Sequence, residues 1–71
     1  ELSWVVREVV DSRKNRRRRN HPVEYYVLWE GYSDAEATWE PFEHLQGTAE
    51  EKLREFHRRN PQALRDPRVV G

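Results

Sequence analysis

The sequence predicts an α+β fold: a three-stranded antiparallel sheet with one C-terminal helix packed across it. Three observations carry this. Two runs rich in β-branched and aromatic residues, Trp4 to Val10 and Glu24 to Trp29, contain neither Gly nor Pro and read as strands. A third, shorter run, Thr38-Trp39-Glu40, ends at Pro41, which has no N–H to give a ladder. Beyond it the apolar period becomes helical, with Ala49, Leu53 and Phe56 at i, i+4 and i+7.

Taken in order, the first strand leads into a loop from Asp11 to Pro22 that is polar, basic and punctuated by Asn15 and Asn20. The second strand pairs antiparallel with the first. Side chains alternate across a strand, so Tyr25, Val27 and Trp29 share one face, and Tyr26 and Leu28 the other. Gly31 breaks this pattern, and Tyr32 opens a polar turn through Ser33, Asp34 and Glu36. Thr48-Ala49-Glu50-Glu51 fits a capping box in which Thr48 accepts from the third helical N–H and Glu51 reaches back. Arg54, His57, Arg58 and Arg59 fall in the later turns, where cations suit the helix dipole, and Pro61 stops the helix. The expected core is Trp39, Leu45, Leu53 and Phe56 with Tyr25 or Tyr26. Residues 1–61 are read as the domain and 62–71 as a flexible tail.

A chain of 71 residues makes one domain at most. It has no cysteine, so neither disulfides nor thiolate-bound zinc staple it, and a reducing compartment is expected. Apolar stretches of a few residues fall far short of the about 20 that cross a bilayer, so no membrane partner is expected. Glu1 reads as the cut edge of a longer chain. The 13 basic and 13 acidic side chains cancel, but unevenly. Arg13, Lys14, Arg16, Arg17, Arg18 and Arg19 crowd one stretch, whereas most acids lie in the second half.

The residue types that carry catalysis are scattered. His21, His44 and His57 form no i, i+4 pair suited to zinc, and the three glycines make no phosphate loop. Ser3, Ser12, Ser33, Thr38 and Thr48 stand without a nucleophile signature. Neither a metal, a cofactor nor a catalytic residue is expected, and the chain reads as a binding module.

Eight aromatics in so polar a chain are the main signal. Trp4 opens a strand, and Trp29 and Tyr32 flank Gly31 at a strand end, positions where rings serve a binding hollow as readily as a core. In order, Trp4-Val-Val-Arg-Glu-Val-Val-Asp11, Tyr25-Tyr-Val-Leu-Trp-Glu-Gly-Tyr32, Ala37-Thr-Trp-Glu-Pro41, Leu45 and a helix holding Leu53 and Phe56 resemble a chromodomain. The resemblance covers about residues 2–60. It implies a curved sheet of SH3-like half-barrel form and a nuclear protein that reads methyl-lysine on histone tails. Residue by residue, it puts the aromatic cage on Trp4, Trp29 and Tyr32 and the cage-side acid on Glu36. It puts the peptide clasp on Leu2, Ser3, Val6, Glu40, His44 and Gln46. Leu53-Arg-Glu-Phe-His-Arg-Arg-Asn-Pro61 further resembles chromodomains of gypsy-class retrotransposon integrases. There are departures: the family more often has tyrosine where Trp4 stands and asparagine where His44 stands.

Cation–π attraction is worth roughly 0.5–2 kcal/mol per face, so three faces give about 2–6 kcal/mol. Micromolar affinity needs about 8 kcal/mol, so strand addition by an extended peptide is expected to supply the rest. The implied partner is a methylated tail, read at lysine nine of histone three by a monomeric domain that tethers its parent protein to heterochromatin. Two other readings compete for single features. Glu36 at Ser-x-x-Glu spacing also suits a cap on a turn begun at Ser33. The arginine loop, through Arg16, Arg17, Arg18 and Arg19, suits weak contact with DNA or RNA phosphates, against a plain solvated loop.

Overall fold

A computed structural model describes residues 4–70. Three strands, β1 (Val6–Lys14), β2 (Val23–Trp29) and β3 (Thr38–Pro41), form one antiparallel sheet in the order β1-β2-β3. A single turn of helix, α1 (Phe42–Leu45), follows directly, and the longer α2 (Glu50–Arg59) packs against β1. The α+β architecture is the one the residue pattern predicts.

The sheet's inner face is built by alternation. Val9 pairs with Val27, and Tyr25, Val27, Phe42, Leu45, Ala49, Leu53 and Phe56 close the core. Tyr25, Val27, Leu45 and Leu53 are fully buried. Two register shifts in β1, between Val6 and Glu8 and between Val9 and Asp11, mark irregular pairing, and bulges of this kind bend a strand.

Five expectations change. Strand β1 runs on to Lys14 instead of ending at Val10, because Arg13 pairs across the ladder with Glu24. Glu24 is nearly buried; hydrogen bonds from Asn15 first, and then Arg13, hold its carboxyl below the usual range despite desolvation. Trp39 is not core. It lies on the opposite face from Val27, stacked obliquely on Tyr26 at 4.7 Å with the Arg13 guanidinium 4.3 Å from its ring centre. The N-cap of α2 is Ala49, and no side chain caps it. Thr48 therefore does not form the expected box; Glu50 instead accepts from the Gly47 N–H at 2.8 Å.

The fourth change concerns the segment expected to be a flexible tail. Residues 62–70 fold back on the core, with Asp66 fully buried and Val69 7% exposed. Tyr25 anchors them: its hydroxyl accepts from the Asp66 N–H at 2.9 Å. The same hydroxyl lies 2.9 Å from Nε2 of His57, the fifth change, which is buried and not a solvated cation at the helix end. Burial, and secondarily Arg65, holds the His57 pKa below the ordinary imidazole value. Burial would raise the Asp66 carboxyl, but hydrogen bonds and charge from Arg68 outweigh it and lower it.

Tyr25→Phe leaves the Asp66 N–H and His57 Nε2 unsatisfied inside the protein, an expected cost of about 1–3 kcal/mol by urea denaturation. Because His57 titrates lower when folded than the ordinary 6.5, the unfolded chain takes up a proton first as pH falls. The His57 contribution is therefore complete above that value and declines below it. Replacing His57 with Gln should flatten this slope, which denaturation at a series of pH values would measure.

Candidate functional site

The end of β2 and the turn after it place the aromatic side chains. Gly31 adopts φ +82°, which L side chains rarely hold, and so lets the chain reverse. The Tyr32 N–H then donates to the Trp29 carbonyl at 3.2 Å, and Tyr32 returns beside Trp29. The chain before β1 reaches the same place, since the Glu30 N–H donates to the Val5 carbonyl at 2.8 Å. Trp4 consequently joins them. Its ring centre lies 5.4 Å from that of Trp29 at 75° and 5.2 Å from that of Tyr32 at 13°.

These three rings line an open hollow of about 450 Å³, together with Glu36, Thr38, Glu40 and His44. Trp4 and Tyr32 are stacked, so their facing surfaces touch and nothing fits between them. Trp4 is 59% exposed, which leaves it free of core packing that would oppose rotation. Glu36 both caps and lines: its Oε1 accepts from the Ser33 N–H and hydroxyl, each at 3.0 Å, while its residue borders the hollow. The two sequence readings of Glu36 are compatible.

A hydrogen-bond chain runs along the floor. The Trp29 Nε1–H donates to Thr38 Oγ1 at 2.8 Å, and the Thr38 hydroxyl donates to Glu40 Oε2 at 2.8 Å. Glu40 Oε1 lies 2.6 Å from His44 Nδ1. Thr38 was missed as a site residue. The signal was in the ladder: Thr38 pairs with Val27, two residues from Trp29 on the same face, which makes Thr38 the diagonal neighbour of the indole.

A second hollow of about 430 Å³ runs between Trp4, Val5 and Val6 on one side and Thr48, Ala49, Glu51 and Lys52 on the other. The expected peptide contacts divide accordingly. Glu40 and His44 border the aromatic hollow, Val6 borders the second, and Gln46 borders neither. Leu2 and Ser3 lie outside the described residues. Among the described residues no group of three His, Cys, Asp or Glu side chains is placed to hold a metal ion, and no helix is long and apolar enough to cross a membrane.

The arginine loop lies at the other end of the hairpin. Lys14 pairs with Val23 there, whereas Val6 pairs with Trp29 at the aromatic end. Arg18, expected among the exposed cations, is tied back to Glu43 at 3.1 Å and to the His21 carbonyl at 3.3 Å. Arg16, Arg17 and Arg19 are exposed.

The Chromo (CHRromatin Organisation MOdifier) domain model matches residues 4–59. Among curated proteins, the human Chromodomain Y-like protein is 38% identical over 61 residues, covering 86% of this chain and 10% of the relative. Heterochromatin protein 1 of Drosophila melanogaster is 42% identical over 45 residues, 63% of this chain and 20% of the relative. The DNA (cytosine-5-)-methyltransferase DMT5 of Cryptococcus neoformans is 36% identical over 58 residues, covering only 2% of that enzyme. The chain thus spans a small part of each relative's length.

Proposed function

The chain belongs to the chromodomain family, and from that premise we propose that it is a chromatin reader that takes a methylated lysine of a histone tail into the aromatic hollow. The lysine is the ninth of histone three, and the reader tethers a larger nuclear protein to heterochromatin. The observation that carries this reading is the convergence of Trp4, Trp29 and Tyr32, with Glu36, on one hollow. Methylation strips an ammonium of N–H donors while leaving its charge, so aromatic faces compete well with water for it.

Entry exchanges one contact for another. Trp4 swings off Tyr32 and both rings turn a face to the cation. The stacked pair is worth about 0.5–1.5 kcal/mol and each cation–π face about 0.5–2 kcal/mol, so the exchange is favourable or close to neutral. Thr38 holds the Trp29 indole through its N–H and keeps that wall fixed meanwhile. Glu36 adds attraction screened by solvent. The backbone of the peptide lies in the second hollow as an added strand, while Glu40 and His44 border the aromatic hollow beside the lysine.

Titration of tail peptides trimethylated or unmodified at lysine nine, by calorimetry, tests the proposal. Tighter binding of the methylated peptide by tenfold or more is expected, in the range that two or three faces supply, about 1.4 kcal/mol or above. Equal affinities remove the reading.

A further inference from the structure

The hairpin tip carries charge that the reader site does not use. From Ser12 to Val23 there is no acidic residue, and six cations stand between Arg13 and Arg19. The fold neutralises two of them. Arg13 is spent on Glu24 and the face of Trp39, and Arg18 on Glu43, which Arg68 also holds. Lys14, Arg16, Arg17 and Arg19 remain, all exposed and, among the described residues, without an ion pair.

The tip is also shaped. The Asn15 N–H donates to the Pro22 carbonyl at 2.8 Å, and the Arg18 N–H to the Asn15 carbonyl at 3.1 Å. Asn15 Oδ1 accepts from the Arg17 N–H at 3.0 Å, while its amide group donates to Glu24. A hollow of about 410 Å³ there is lined only by Arg13, Lys14, Asn15, Arg16 and Arg17. Four cations crowded on a braced turn repel one another, and nothing in the core gains from them. A polyanion of regular charge spacing relieves that repulsion and releases its own counterions.

We propose that this tip is a nucleic-acid site that grips the phosphodiester backbone through Lys14, Arg16, Arg17 and Arg19, independently of base sequence. A projecting turn of guanidinium groups suits the alternating ridges and grooves of a duplex, and Arg forks match phosphate oxygens in pairs. The site is separate from the aromatic hollow. Six residue steps along β2 divide Val23 from Trp29, roughly 20 Å at strand rise. A tail peptide and a nucleic acid therefore bind together, each at its own end of the hairpin, and joint engagement on one chromatin particle adds avidity without a new contact.

Fluorescence anisotropy with a short labelled duplex DNA tests this, with single-stranded RNA and polyglutamate as further arms. Four phosphate contacts on duplex predict a log–log salt slope of about −3.6, so a fourfold rise in salt weakens binding about a hundredfold. The variant carrying Lys14→Gln, Arg16→Gln, Arg17→Gln and Arg19→Gln should lose duplex affinity at least tenfold and flatten the slope. Its affinity for a trimethylated tail peptide should not change. Binding of RNA with the same loss in the variant identifies the shared phosphodiester chemistry and supports the proposal. A flat salt slope for the unaltered domain overturns it without recourse to any variant. So does an unchanged duplex affinity in the folded variant, or polyglutamate bound as tightly as duplex.

Discussion

Trp29→Ala should abolish the preference for a trimethylated over an unmodified tail peptide while leaving a cooperative thermal melt. Trp29 is the fixed wall of the hollow: Trp4 meets it edge-on, and its N–H is held by Thr38. Truncation removes one cation–π face, about 0.5–2 kcal/mol, and the wall that orients Trp4. The fold survives because Trp29 sits at the sheet end, packed on the core but outside it. Trp29→Phe keeps a π face and loses the Thr38 bond, so it should retain part of the discrimination. Calorimetry on both variants checks this, and undiminished discrimination by the alanine variant refutes the role given to Trp29.

The other large effect concerns stability. Leu53→Ala should leave the domain mostly unfolded at room temperature. Leu53 is fully buried on α2, with Ala49 and Phe56 beside it on the same stripe. Such truncations cost about 2–5 kcal/mol. A single small core without disulfide or metal supplies rarely more than about 3–5 kcal/mol. Loss of the cooperative transition in far-ultraviolet dichroism is expected. A melt within a few degrees of the parent's would mean that α2 is not the element closing the core.

The elements that bury apolar side chains were legible in the sequence, because burial imposes a period. Ala49, Leu53 and Phe56 showed their helix, and Tyr25 and Val27 their strand face. What hid was held by polar pairs across the chain. Residues 11–14 look like a loop, yet they are strand because Arg13 finds Glu24 and Trp39. The Trp39 indole looked like core bulk, and is instead the platform for that arginine. Residues 62–70 lack periodicity, and what holds them is Tyr25, 41 positions from Asp66. No local pattern reports a bond of that span. The Thr48 box fits its spacing, but the N-cap falls one residue later, on Ala49, and the helix begins at Glu50.

For the site, the resemblance supplied the aromatic residues and Glu36, and the geometry gathers them at one hollow. It did not supply Thr38, whose part depends on strand register, nor the stacking of Trp4 on Tyr32, which depends on how two chain ends meet. The integrase likeness read from Leu53 to Pro61 has no counterpart in the relatives named above.

The account turns on where a quaternary ammonium goes when it meets this domain. Nuclear magnetic resonance of the bound trimethyl-lysine peptide observes that group directly through its N-methyl signal. The signal should move upfield under the ring currents of the cage and show Overhauser contacts to the ring protons of Trp4, Trp29 and Tyr32. An N-methyl signal that stays at its free position, or makes its contacts to residues elsewhere on the domain, would contradict it.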